Sequence, residues 1–125
     1  MLKQRNSKKQ GDVGLGIAIG WFSVQGCTVC VPLTDSQEYD LVIDDGTLKK
    51  VQVRTSRYKR SGSSYQVEMR TKGGNKTGNT VKFFDSTKVD LVFIVTDDGR
   101  KFLIPSHECP NRSVTVCVGS KYEVT

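Results

Sequence analysis

The chain has 125 residues, with 19 Lys and Arg against 13 Asp and Glu, a formal charge of +6 and a pI of about 9.3. That length accommodates one domain around one core. With 36% hydrophobic and 26% charged residues, the composition excludes a membrane-embedded protein and a long coiled coil, and the starting point is a basic soluble domain.

Residues 1–10 read as a flexible basic arm with Lys3, Arg5, Lys8 and Lys9 and no acid, and residues 11–125 as a single domain. From 11 to 25 the apolar positions Val13, Ile17, Trp21 and Val24 recur at helical spacing. Leu15, Ala18, Ile19 and Phe22 make this helix apolar nearly all round, which predicts that it is largely buried. Gly14, Gly16 and Gly20 lower helix propensity and point to close packing against a sheet. They do not form a dinucleotide fingerprint, because no strand precedes them and the third glycine falls one place late. A basic start before an uncharged run at 13–34 has the outline of a secretory signal. Asp12 at its edge, its glycines and Gln25 ahead of Gly26 argue against export. Gly20, Ser23, Gln25, Gly26 and Pro32 interrupt the run too often for a membrane span.

Strands follow at 28–31, closed by Pro32, then at 39–43, 48–55 and 64–70. Asp44, Asp45 and Gly46 turn the second into the third. Residues 71–80 read as a flexible, polar, basic loop. The nearly continuous apolar run at 89–95 reads as a central buried strand, and Asp97, Asp98 and Gly99 turn it into a strand at 101–104. A short helix or loop at 105–111 and a last strand at 113–118 complete the order. The fold class is α/β: one N-terminal helix, then a mixed, largely antiparallel sheet with few further helices.

The four cysteines are Cys27, Cys30, Cys109 and Cys117. Cys27 and Cys30 have the spacing of a zinc or redox site, but the second pair is seven residues apart and His107 is the only histidine. Structural thiols in a reducing cytoplasm, here of a bacterial or phage-infected cell, are the simpler reading, and a zinc or redox module is the third-ranked function.

Charge is segregated along the sequence. Residues 11–48 hold six acids (Asp12, Asp35, Glu38, Asp40, Asp44, Asp45) and no Lys or Arg, whereas residues 49–82 hold ten basic residues against Glu68 alone. Such a division suits a polyanion on the basic stretch and a bound cation among the carboxylates, or simply an unevenly charged solvated surface. The junction between the two stretches carries the chemistry. If the turn after Ile43 is a three-residue loop centred on Asp44, Asp45 and Gly46, Asp40 faces Lys50 and shares a face with Gln52 and Arg54; a two-residue turn puts Asp40 on the opposite face. An Asp with a second oxygen ligand two positions before a cation is a plan for metal-dependent phosphodiester hydrolysis. Asp40 would bind Mg²⁺, Gln52 would lend its amide oxygen, and Arg54 would sit near the attacking water or the phosphate. Asp12 adds a carboxylate if the helix packs beside the hairpin. The competing reading makes Asp40 a strand-end Asp and leaves Gln52 and Arg54 as ordinary exposed residues.

The run Gly11, Asp12, Gly14, the apolar helix ending in Gln25 and Gly26, Pro32, Tyr39 to Gly46, and Val51, Gln52, Val53, Arg54, Thr55 resembles the PD-(D/E)xK nucleases associated with group I introns. The likeness continues through Asp90 to Ile94 and Phe102 to Pro105, covering roughly residues 11–108. The resemblance implies a restriction-endonuclease-like core, a divalent metal, and double-stranded DNA cut at a homing site by a homo-oligomer, dimer or tetramer. It maps the metal-binding Asp to Asp40, the second ligand to Gln52 and the acid of the first helix to Asp12. Arg54 departs from the family's Lys: it keeps the charge but cannot give up a proton near neutral pH. The leading reading is therefore a Mg²⁺-dependent, site-specific DNA endonuclease of the intron-homing type. The alternative is a non-cleaving or attenuated DNA- or junction-binding protein on the same fold. Lys49, Lys50, Arg57, Lys59, Arg60, Arg70, Lys72 and Lys76, interleaved with Tyr58 and Tyr65, are the candidate DNA contacts, Arg for guanine edges and Lys for phosphates.

Overall fold

The structure, a computed structural model, describes residues 6–56, 59–75 and 78–125, with side chains for all of these except 59–60, 72–75 and 78–80. Arg57, Tyr58, Lys76 and residues 1–5 lie outside the described residues. Helix α1 spans Ser7–Val24, so it begins one turn before Gly11 and takes in the last four residues of the predicted arm. Asn6 sets that start, its side chain accepting from the backbone N–H groups of Lys8 and Lys9. No helix among the described residues is long and apolar enough to cross a membrane.

The strands are β1 (Thr28–Cys30), β2 (Leu41–Asp44), β3 (Leu48–Ser56), β4 (Lys59–Ser61), β5 (Ser64–Glu68), β6 (Thr71–Asn75), β7 (Gly78–Lys82), β8 (Leu91–Thr96), β9 (Lys101–Pro105), β10 (Ser113–Cys117) and β11 (Glu123–Val124). A six-stranded sheet has the order β1-β2-β3-β8-β9-β11, with β10-β5-β4 forming a second sheet and β6-β7 a separate ribbon. All pairings are antiparallel except β3 with β8. A parallel pair needs a crossover, and here the chain between β3 and β8 spends it on β4 to β7, with no α-helix among the described residues. Strand β8 is central, and its residues from Val92 to Thr96 are all buried, as its apolar run predicts.

Alternation along the strands divides two cores. Leu41, Ile43, Val51, Phe93 and Val95 face α1 with Ala18 and Phe22. Val92, Ile94, Phe102 and Ile104 face the second sheet with Tyr65, Val67, Met69, Val114 and Val116. The helix is therefore less buried than its composition predicts: only Gly14, Ala18 and Phe22 are buried, one residue per turn along a single stripe, and Val24 is 83% exposed. Of its glycines, Gly14 alone meets the sheet closely, since a Cβ there would lie 2.4 Å from Thr55 Cγ2, whereas Gly16 and Gly20 have nothing within 4 Å. Residues 71–82 are a second departure. Thr71–Asn75 and Gly78–Lys82 form the β6-β7 ribbon, with Thr71 paired to Lys82 at its base, where composition predicts a loop over 71–80.

Candidate active site

The turn after β2 has the odd parity that the functional reading requires, displaced one residue along the chain. Asp44 pairs with Leu48, so Asp45, Gly46 and Thr47 form the loop, and Gly46 takes φ 114°, a backbone conformation open to glycine. Leu41 pairs with Val51 and Val42 with Lys50, which sets Asp40 opposite Gln52 instead of Lys50. Asp40, Gln52 and Arg54 therefore share a face of the six-stranded sheet, the face turned away from α1.

Asp40 stands just before β2, where that strand no longer reaches Val53. Its carboxylate fills the gap by accepting the Val53 N–H at 2.7 Å, which locks the side chain at the strand end. The group is solvent-accessible, but surrounding atoms displace enough water that burial raises its pKa above the usual aspartate value, against the lowering effects of the Val53 N–H and the Arg54 charge. Gln52 donates its amide nitrogen to the Glu38 carbonyl at 3.3 Å, while its Oε1 is buried without a hydrogen-bond partner. Arg54 is half-buried and donates from Nη2 to the Met69 carbonyl at 3.3 Å, and its Nε is likewise buried and unpartnered. Burial lowers its pKa, and the charges of Asp40 and Glu68 act the other way.

These side chains line a cleft of about 320 Å³ together with Ser36, Gln37, Glu38, Val53, Thr71 and Lys82. A small recess with Met69, Phe84 and Val89 in its wall continues from Gln52 and Arg54. Glu38 and Lys82 form an ion pair across the cleft mouth. Sequence reasoning missed both, and their 44-residue separation left no local signal to find.

Asp12 does not join the group. It is exposed on α1, roughly 160° around the helix from Gly14, the residue that touches β3. What α1 does bring to the strand is Gln10, whose amide donates to Thr55 Oγ1 at 2.9 Å on the opposite face of β3 from Arg54. The expected DNA contacts are dispersed. Lys49 pairs with Asp45 at the hairpin tip, 2.7 Å apart, and lines a different, more apolar cavity on the α1 side. Lys50 lies over the Tyr39 ring at 5.6 Å on the cleft side of β3, and Arg70 is forked onto Glu68 at 2.6 Å. Lys59 and Arg60 fall in β4 and Lys72 in β6, opposite Val81.

A hard divalent cation suits the donors present. Asp40 offers carboxylate oxygen, and an amide oxygen buried without a partner is a costly arrangement that a cation beside Gln52 would relieve. No group of three or more His, Cys, Asp or Glu among the described residues could hold a metal, so such an ion would keep water or substrate oxygens in its remaining positions. Cys27 and Cys30 are free thiols, and no described His, Cys, Asp or Glu completes a group of three with them.

Among the described residues the sheet thus has one parallel pair at its centre, one α-helix on one face, and Asp40, Gln52 and Arg54 in a polar cleft on the other. The PD-(D/E)XK endonuclease model matches residues 5–123, and the chain belongs to that family. Among solved structures it is similar to a bacterial homing endonuclease, I-Ssp6803I, at 25% identity with a TM-score of 0.78, over 93% of this chain and 81% of that one. No curated protein sequence matches.

Proposed function

We propose that the protein is a Mg²⁺-dependent, site-specific endonuclease of double-stranded DNA, of the intron-homing type, acting as a homo-oligomer. The observation that carries this reading is the buried, unpartnered Oε1 of Gln52 on the same cleft face as Asp40 and Arg54. Asp40 and Gln52 would hold the ion, which when bound polarises the phosphate and lowers the pKa of a water. Val53 N–H holds one oxygen of the Asp40 carboxylate, so the side chain does not rotate freely and its other oxygen would be available to an ion. Arg54, fixed by the Met69 carbonyl, supplies permanent positive charge against the phosphate and carries no proton to the leaving oxygen. The β6-β7 ribbon stands with its base, Thr71 and Lys82, at the cleft, and two-stranded ribbons are narrow enough for a DNA major groove. A 125-residue module presents little groove-reading surface, so a long site is read by symmetric copies.

Arg54 favours a second reading, a binding protein that has lost cleavage. Nicking of supercoiled plasmid separates the two, with wild type, Gln52→Ala and Arg54→Lys each assayed in Mg²⁺ and in EDTA. The endonuclease reading predicts nicking by wild type only with Mg²⁺ and a loss of roughly a hundredfold or more in Gln52→Ala. Nicking by Arg54→Lys but never by wild type would establish the binding protein.

A further inference from the structure

Among the described residues, two cations of different character line the cleft. Arg54 is committed: it is half-buried, tied to the Met69 carbonyl and permanently charged. Lys82 stands at the mouth with a side chain 60% exposed, on a flexible stem, ion-paired with the Glu38 carboxylate and with its charge also felt by Asp85. Its backbone is held firmly, since Lys82 is the last residue of β7 and pairs with Thr71, which lines the same cleft. Glu38 is held too, because its carbonyl accepts the Gln52 amide that brings the proposed ligand into place. An exposed ion pair of this kind contributes little to stability, yet it parks an ammonium group beside Asp40, Gln52 and Arg54.

We infer that Lys82 is a catalytic residue of this cleft, parked on Glu38 in the free protein and transferred to a non-bridging oxygen of the scissile phosphate when DNA enters. The inference rests on the endonuclease reading. In hydrolysis the oxygen of a water bonds to phosphorus and the bond from phosphorus to the departing sugar oxygen breaks. The water's proton passes to solvent and the departing oxygen takes one from solvent, with no change of oxidation state. Negative charge gathers on the non-bridging oxygens midway, and a cation waiting there stabilises that charge more than it stabilises bound DNA. The phosphate competes with Glu38 for Lys82, while Asp40 is engaged with Val53 and Arg54 and Asp85 with Thr87.

The test compares wild type with Lys82→Ala, Lys82→Arg, Glu38→Gln and, as a charge-matched control, Lys121→Ala, whose lysine pairs with Glu108 instead of lining the cleft. Single-turnover nicking in Mg²⁺ is read beside duplex affinity in EDTA. Lys82→Ala is expected to nick about a hundredfold more slowly while its affinity falls less than about fivefold. Lys82→Arg should recover most of the rate, Glu38→Gln should bind DNA more tightly in EDTA, and Lys121→Ala should match wild type. The assignment is overturned if Lys82→Ala nicks within about twofold of wild type, if its rate loss merely tracks its affinity loss, or if arginine restores nothing. Failure of wild type itself to nick overturns the endonuclease reading and this assignment with it, an outcome distinct from the other three.

Discussion

Individual carboxylates in this protein do different work according to what reaches them. Asp98, in the turn between β8 and β9, accepts the Tyr65 hydroxyl at 2.6 Å and the Thr96 hydroxyl at 2.5 Å, and sits 3.4 Å from Arg100. Burial pushes its pKa up, but those hydroxyls, a backbone N–H and the Arg100 charge outweigh it and hold the value at about 2, below the ordinary 3.8. A depressed folded-state pKa means that the unfolded chain binds the proton more readily. Stability from Asp98 is thus complete above about pH 4 and disappears as pH falls towards 2. Asp98→Asn should be less stable than wild type at pH 7 by on the order of 1 kcal/mol, a figure discounted because the side chain is 45% exposed, and the two should converge near pH 2. Urea titrations at several pH values check this. Asp40, with its pKa raised by burial, is the opposite case. Its shared face with Gln52 and Arg54 was legible in the sequence because strand alternation is strict and the loop has only two parities. The Glu38 and Lys82 pair was not legible, because an ion pair between a loop and a remote strand end has no period.

At the scale of elements, the helix shows how composition overstates burial. Apolar residues all round α1 predict a buried rod, but only the stripe of Gly14, Ala18 and Phe22 is covered, and Leu15, Ile17, Ile19 and Trp21 are half-covered flanks. Close packing was correctly foreseen from the glycines, yet one glycine carries it. Gly14→Ala should destabilise by roughly 1–3 kcal/mol because its Cβ would meet a β-branched methyl that cannot swing away, 2.4 Å from Thr55 Cγ2. Thr55→Ser in the same chain should recover much of that loss, since serine drops the methyl but keeps the hydroxyl that accepts from Gln10. Gly16→Ala, with open space around it, should raise stability by about 0.5–1 kcal/mol. Thermal or chemical denaturation measures all three. The β6-β7 ribbon was misread for a different reason: Gly, Asn and Thr carry loop statistics, whereas the pairing of Thr71–Asn75 with Gly78–Lys82 is made by backbone groups common to all residues.

In the whole molecule, one sheet separates two functions. Its α1 side is a packed core, and its other side carries a second core at one end and the cleft beside it. Asp12, implied as a ligand by family likeness, is exposed on the helix of the first side, away from the cleft on the second. The α/β class, the single helix and the central β8 follow from local pattern. The parallel pairing of β3 with β8 does not, because two hydrophobic strands 40 residues apart carry no mark of their relative direction. If the basic stretch from 49 to 82 tracks a DNA backbone, affinity in EDTA should fall steeply with salt. A slope of log K against log salt of about −4 to −5 corresponds to roughly five phosphate contacts, and a flat response would deny the basic stretch that role. The most direct test of the account pairs two readings on one variant, with Asp40→Ala assayed beside wild type for single-turnover cleavage in Mg²⁺ and for duplex binding in EDTA. The predicted result is a cleavage rate reduced by about a thousandfold with affinity kept within a few-fold. Cleavage by Asp40→Ala at the wild-type rate would contradict it.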